Sequence, residues 1–181
     1  LKLLYNSFIQ PHIQYGQAVW GGSSSQNRQS VVSIQTRAIR TVCKAYHMAH
    51  TEPRMKKLGL LNFNDLYRQQ CILLSHDCLK ERAPRKIANL LVQEKNINTH
   101  ATRNQTTNPL NFKIPNFRSR AGSQSFRMKG PTIWNEIPNE VKSIEKREIF
   151  KSSIKRMFLH KYSKKSECKN PKCKDHNFHI L

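Results

Sequence analysis

Two aromatic-glycine segments, far apart in the chain, constrain its fold more than any other feature of the sequence. Residues 15–22 read YGQAVWGG and residues 130–138 read GPTIWNEIP, and together they hold both tryptophans and four of the six glycines. Glycine permits backbone conformations and close approaches that other residues do not, while tryptophan supplies a large apolar surface. We therefore predict that each segment is a fixed chain reversal packed on a core.

Helical spacing of apolar residues recurs along the chain and predicts a mainly α fold. A serine of the run at 23–25, Gly59 and the Asn64–Asp65 pair are expected to mark helix ends. Pro11 is expected to kink or end the first helix. The predicted helices cover residues 1–15, 26–46, 52–58, 64–82, 84–93 and 147–162.

The helix over 26–46 has two contrasting faces. Its apolar face is predicted to hold Val31, Ile34, Ala38 and Val42. Arg37, Arg40 and Lys44 fall on the opposite side at helical spacing. Such a helix could pack on a core while lying along phosphates. An ordinary solvated face is the alternative, although the absence of any acidic residue before Glu52 weighs against it.

Residues 110–115 alternate between apolar and polar, which is the period of a short strand. We predict a small β-hairpin near residues 110–128, with Arg118 and Arg120 at its tip, where they could contact phosphates. The expected fold is thus a mainly α helical bundle with one small β-hairpin element. The expected regions are 1–93 (helical), 94–138 (loop and hairpin connector), 139–165 (basic C-terminal helix) and 166–181 (basic Cys/His tail).

The charge of the chain indicates a polyanionic partner. Lys and Arg number 32 against 11 Asp and Glu, a formal net charge of +21. A field of that sign concentrates nucleic acid before specific contacts form. The basic residues are spread over the whole length, unlike a single lipid-binding cluster, and no apolar run approaches the roughly 18 residues of a membrane span. We therefore expect a nucleic acid rather than an anionic membrane as the partner, with a merely solvated basic surface as the remaining alternative.

The five cysteines are an odd number and form no secretory disulfide pattern, so we expect a reducing compartment. Cys71 and Cys78 lie seven residues apart on one predicted helix, too far to bond to each other, and are interpreted as core residues. The tail holds four possible zinc ligands in a C-x4-C-x2-H-x2-H pattern: Cys168, Cys173, His176 and His179. A disordered basic tail without metal is the alternative.

No catalytic residue is assigned. Metal-dependent nucleotidyl transfer needs converging carboxylates, and the three aspartates (Asp65, Asp77 and Asp175) lie in separate predicted elements. No glycine-rich phosphate loop or nucleophile elbow is present in the sequence.

Several short stretches, in a fixed order, resemble the C-terminal, thumb and post-palm region of a non-LTR (LINE-like) retrotransposon reverse transcriptase. The resemblance covers about residues 1–162, and the ordered set is more specific than any one member. The stretches are 3–16 (LLYNSFIQPHIQYG), 19–21 (VWG), 35–40 (QTRAIR), 58–61 (LGLL), 65–67 (DLY), 102–104 (TRN) and 130–138 (GPTIWNEIP).

The resemblance implies an RNA-directed DNA polymerase whose catalytic aspartates and Mg²⁺ lie in an upstream palm domain, the expected partner within the same polyprotein. It implies that residues 1–93 form a thumb-like region gripping template RNA and the RNA–DNA primer–template hybrid. Its ribonucleoprotein would occur in the nucleus and cytoplasm. The expected nucleic-acid-binding residues are Arg37, Arg40, Lys44, Arg118, Arg120, Lys151 and Lys155.

Three alternatives stay open at the level of sequence. The chain could be a stand-alone RNA-binding module derived from such an element. It could be a small nuclease that uses His and Asp with a metal, or a decayed product that never folds. Residue 1 falls within an apolar pattern already under way, so we expect the chain to be a fragment of a longer protein.

Overall fold

The structure is a computed structural model that describes residues 1–94 and 108–162. Within these residues the fold is mainly helical, which confirms the predicted class. The chain forms two compact units that interleave along the sequence. Of the described residues, unit 1 comprises 1–15, 24–66 and 155–162, and unit 2 comprises 16–23, 67–94 and 108–154. The two units thus alternate along the chain, whereas the four regions expected from sequence follow one another.

The helical elements of the described residues are short, apart from three long helices. In chain order they are α1 (Lys2–Leu4), a π-helical turn (Tyr5–Ile9), α2 (Gln10–Gln14), α3 (Gln17–Trp20), α4 (Ser25–Val42), α5 (Glu52–Leu58), α6 (Phe63–Leu79), α7 (Arg85–Ala88), α8 (Arg120–Gln124), α9 (Phe126–Asn135), α10 (Asn139–Lys142) and α11 (Arg147–Lys161).

The N-terminal helix runs through Pro11 instead of ending there. Proline has no N–H to donate, so the ordinary helical ladder is interrupted at this residue. The chain adapts through the π-helical turn, in which the Gln10 N–H donates to the Tyr5 carbonyl five residues back. The helix ends at Gln14, and Gly16 follows with a φ of +60°, a conformation that favours glycine.

In unit 1, α4 buries a different face from the one predicted. Ser24 caps the helix as expected, its hydroxyl accepting from the Asn27 N–H. The buried residues of α4 are Gln35 and Ile39, while Ile34 is 57% exposed. The buried face is therefore shifted from the predicted one, of which Val31, Ala38 and Val42 are half-buried. The Gln35 amide donates to the Tyr5 hydroxyl and to the Leu61 carbonyl, both at 3.0 Å, and these bonds allow a polar side chain into the core.

The ends of α5 and α6 agree only partly with the prediction. Gly59 terminates α5 with a φ of +64°, as expected. The cap of α6 is Asn62, two residues earlier than predicted, because its side-chain oxygen accepts from the Asp65 N–H at 2.8 Å. The helix ends at Leu79 rather than near Arg82, and Glu81 follows with a φ of +57°.

The core of unit 2 is organised around Trp134, which is fully buried. The rings of Phe112 and Phe150 lie 5.8 and 6.0 Å from it, centroid to centroid. The His76 ring stacks on Phe150 at 4.1 Å. The indole N–H of Trp134 donates to the Leu110 carbonyl at 2.8 Å, which satisfies the one polar atom of the side chain.

The two aromatic-glycine segments have different structures. The first holds the one-turn helix α3 between two turns. In its second turn, a Cβ on Gly21 would lie 2.4 Å from the Tyr67 ring, and one on Gly22 would lie 2.3 Å from the Gln124 carbonyl oxygen. Only glycine fits these two positions. The second segment is not a chain reversal, because residues 130–135 complete α9, with Pro131 inside the helix. Trp20 is only partly buried, so it is a weaker anchor than predicted.

The predicted hairpin near residues 110–128 is not formed. Phe112 makes a single antiparallel bridge to Gln93, and α8 and α9 occupy the place of the second strand. The Asn135 side chain takes the strand's role, because it accepts from the Phe112 N–H and donates to the Phe112 carbonyl. Ser119 meanwhile caps α8 by accepting from the Gly122 N–H.

The region predicted as one C-terminal helix over 139–165 contains α10 and α11, separated by residues 143–146. Lys142, at the end of α10, is buried, and its ammonium donates to the Asn111 side-chain oxygen at 2.8 Å. Burial lowers the pKa of Lys142. Among the described residues, none of the helices combines the length and the apolar character that crossing a bilayer demands.

Candidate nucleic-acid interface

Acidic residues are scarcer in unit 1 than in unit 2. The described part of unit 1 carries eleven Lys and Arg but only two acidic residues, Glu52 and Asp65. The described part of unit 2 carries fourteen Lys and Arg and seven acidic residues. The basic residues of unit 1 are Lys2, Arg28, Arg37, Arg40, Lys44, Arg54, Lys56, Lys57, Lys155, Arg156 and Lys161.

The predicted basic stripe of α4 is only partly a helical stripe. Arg37 is exposed and lies within the helix. Lys44 lies beyond the helix end, in a turn with a φ of +49°, so its placement within the helix was wrong. Arg40 is half-buried, and its Nε donates to the Ala49 carbonyl at 3.0 Å. Arg40 therefore holds the following loop, whereas Arg37 and Lys44 present their charges to solvent.

Helix α5 adds basic residues that sequence reasoning did not single out. Arg54 is buried, and it donates to the His50 carbonyl at 2.6 Å. Lys56 and Lys57 are exposed on the same short helix. Burial raises the pKa of the Cys43 thiol, while the charges of Arg54 and Lys57 act in the opposite direction. Lys56 and Lys57 thus add exposed basic residues to those at the end of α4, within the same unit.

The loop between α4 and α5 displays aromatic and apolar side chains beside this basic surface. Tyr46 is 67% exposed and Met48 is 71% exposed. The rings of Tyr46 and His47 lie 4.1 Å apart. The sequence stretch 44–50 (KAYHMAH) interleaves basic and aromatic residues, a pattern that could have indicated this surface before the structure was known.

The other predicted binding residues are exposed, but they lie on other elements than α4 and α5. Arg118 and Arg120 lie in unit 2, where Arg120 begins α8 instead of marking a hairpin tip. Lys151 and Lys155 are one turn apart on α11, and both are exposed. Of the seven predicted residues, the structure brings Arg37, Arg40 and Lys44 together at the end of α4.

In unit 2, several basic side chains are neutralised by acidic neighbours. Arg147 Nε donates to both carboxylate oxygens of Asp77 at 3.1 Å. Arg68 forms an ion pair with Glu136. A third pair joins Lys80 to Glu145 at 3.9 Å. These pairs reduce the positive potential that unit 2 can offer to a phosphate backbone.

The described aspartates are held by structural partners. Asp65 accepts a hydrogen bond from the Tyr162 hydroxyl at 2.6 Å, and that hydroxyl accepts from the Asn62 N–H at 2.9 Å. Burial raises the pKa of Tyr162, so the hydroxyl stays protonated as a donor. Asp77 pairs with Arg147. These contacts give Asp65 a packing role in unit 1.

The cysteines within the described residues are not arranged for metal binding. Burial raises the pKa of Cys71 to about 12 and, together with Asp77, that of Cys78 to about 11, so both thiols stay protonated at neutral pH. Residues 1–94 and 108–162 contain no group of three or more His, Cys, Asp or Glu side chains suited to a metal ion. The four candidate zinc ligands, Cys168, Cys173, His176 and His179, lie outside the described residues.

Comparison with known proteins found no matching family model, no matching curated protein and no matching solved structure.

Proposed function

We propose that the chain is a non-catalytic C-terminal region of a non-LTR retrotransposon reverse transcriptase, which binds template RNA and the primer–template hybrid. The observation that supports this most is the charge of unit 1, whose described part has eleven basic residues against two acidic ones. One of those acids, Asp65, is already engaged by Tyr162. The basic residues of unit 1 outnumber its acidic ones, so the unit keeps a net positive charge that would attract an external polyanion.

The basic residues at the end of α4 and on α5 suit a phosphate backbone. Arg37, Lys44 and Lys57 are exposed, whereas Arg40 and Arg54 hold the loop between the two helices. We assign phosphate contacts to the first three and a structural role to the other two. Catalysis and Mg²⁺ belong to the upstream palm in this proposal, and that palm is the expected protein partner.

A salt titration tests the assignment. The variant Arg37→Gln/Lys44→Gln/Lys57→Gln removes three exposed charges of unit 1 without touching the loop-holding arginines. The matched control removes three exposed charges of unit 2, Arg85→Gln/Lys86→Gln/Lys113→Gln. We expect the first variant to flatten the plot of log affinity against log salt by about 0.9 per lost phosphate contact, and the control to flatten it less. Equal losses in both variants would contradict the assignment.

The choice of probe separates the proposal from its alternative. Preference for an RNA–DNA hybrid over single-stranded RNA is expected of a thumb-like region. Preference for single-stranded RNA without the hybrid would instead favour a stand-alone RNA-binding module. If the folded chain binds neither probe, the proposed function is wrong.

A further inference from the structure

The loop between α4 and α5 carries an exposed aromatic side chain that the proposed function does not use. Tyr46 and Met48 are the most exposed large apolar side chains of this loop, with the His47 ring next to Tyr46. Large apolar groups exposed side by side cost solvation free energy unless something covers them. Lys44 begins the same stretch of unit 1, and Lys56 and Lys57 are exposed on α5, the helix that follows the loop.

The loop is held in place on both sides of its tip. The Ala45 N–H donates to the Arg40 carbonyl at 2.8 Å, and the Arg40 side chain donates to the Ala49 carbonyl at 3.0 Å. The Ala49 N–H in turn donates to the Tyr46 carbonyl, and Ala49 itself is buried. These bonds hold the backbone of the tip, so binding to it would cost little backbone conformational entropy.

From this geometry we propose that Tyr46 is a stacking platform for an unpaired base of the bound RNA, while the neighbouring lysines contact its phosphates. The proposal rests on the proposed function in requiring that the chain binds nucleic acid. Stacking on an aromatic ring suits single-stranded segments, because their bases are not already stacked within a duplex. The site would thus engage template RNA beyond the end of the hybrid rather than the hybrid itself.

The test compares two probes that share every phosphate. One is an RNA–DNA hybrid with a single-stranded RNA overhang, and the other carries the same overhang with abasic riboses. With the full chain, we expect Tyr46→Ala to weaken binding of the first probe by about 5- to 150-fold, the range for one stacked base, and to leave binding of the abasic probe unchanged. Tyr46→Phe should retain the affinity because it keeps the ring.

Phe8→Ala provides the matched control, because Phe8 is a similarly exposed aromatic residue of unit 1 outside the loop. It should change neither affinity. If Tyr46→Ala weakens both probes equally, or neither, the stacking site is refuted while nucleic-acid binding stands. If Tyr46→Ala instead reduces binding to phosphatidylserine vesicles and spares RNA, the platform belongs to a membrane surface. If the unaltered chain binds neither probe, the proposed function fails and the stacking site fails with it.

Discussion

Unit 1 and unit 2 both carry many basic residues, but they differ in how many acidic residues accompany them. In unit 2, ion pairs such as Arg147 with Asp77 neutralise basic side chains within the unit. In the described part of unit 1, only Glu52 and Asp65 are acidic, and Asp65 is hydrogen-bonded to Tyr162. Both units therefore keep an excess of positive charge, but acidic residues offset a smaller share of it in unit 1 than in unit 2.

The cores of the two units also differ in the polar side chains that they bury. Unit 1 buries the amide of Gln35, a side chain that carries no charge and does not titrate. Unit 2 buries two titratable side chains, His76 and Lys142, against aromatic rings. Burial lowers the pKa of both. Unit 2 should therefore lose stability at acid pH, where His76 takes up a proton.

The largest expected effect is that of Trp134→Ala in unit 2. The indole is fully buried among aromatic rings, so its removal should lower the free energy of unfolding by about 3–5 kcal/mol. Trp20→Ala should lower it by less, because Trp20 is partly exposed. Urea titrations followed by circular dichroism would measure both. Equal losses would mean that Trp20 anchors the fold as strongly as Trp134.

In unit 1, Gln35→Ala should lower the free energy of unfolding by about 1–3 kcal/mol. The change leaves the buried Leu61 carbonyl without its donor and removes the bond to the Tyr5 hydroxyl. Gln26→Ala, an exposed glutamine of the same helix, is the control and should have little effect. The same urea titration reports both. A negligible loss for Gln35→Ala would show that α4 does not depend on this bond.

A third effect is confined to acid pH and to unit 2. Burial, aided by Arg82, lowers the pKa of His76, while the hydrogen bond to Ile144 partly opposes this. In the unfolded chain, His76 has its usual pKa of about 6.5 and therefore binds a proton more readily than in the folded chain. The free energy of unfolding should thus decrease as the pH falls from about 6.5 through the lower pKa of the folded state.

Unfolding free energies at a series of pH values would test this effect. His76→Gln should flatten the acid dependence, because the substituted side chain does not titrate. His12→Gln, a change of an exposed histidine in unit 1, should leave the dependence intact. If the slope is the same with and without His76, another group causes it.

The smallest effect is expected from the surface charge pairs. Arg147→Gln breaks the ion pair with Asp77, but Arg147 is 43% exposed and well screened by solvent. We expect a loss below about 1 kcal/mol in the free energy of unfolding. The ion pairs of unit 2 would then matter for the potential they cancel more than for stability. A loss as large as that of Gln35→Ala would contradict this view.

Much of the helical framework could be predicted from the sequence because its signals are local. Ser24 as a cap, Gly59 as a stop and the burial of Cys71 and Cys78 follow from residue chemistry and spacing. The hairpin was predicted wrongly because the alternation at 110–115 is also local, whereas the partner of Phe112 is the side chain of Asn135. A contact between residues so far apart in the chain does not produce a periodic pattern in the sequence.

The candidate site was predictable in composition but not in arrangement. Charge and spacing indicated Arg37, Arg40 and Lys44, yet only the structure separates Arg40, which holds the loop, from its exposed neighbours. The exposure of Tyr46 was not predicted, because the exposure of an aromatic residue depends on what packs near it. Sequence pattern alone does not distinguish an aromatic core residue from an exposed one.

The sequence by itself determined the helical class, several helix ends and the excess of positive charge, since each depends on neighbouring residues or on simple sums. The tertiary structure decided which face of α4 is buried, which basic residues are neutralised and where Lys142 lies. Those outcomes depend on hydrogen-bond and charge partners distant in the chain. A polar side chain such as Gln35 is buried in a core only where hydrogen-bond partners are present for its polar atoms.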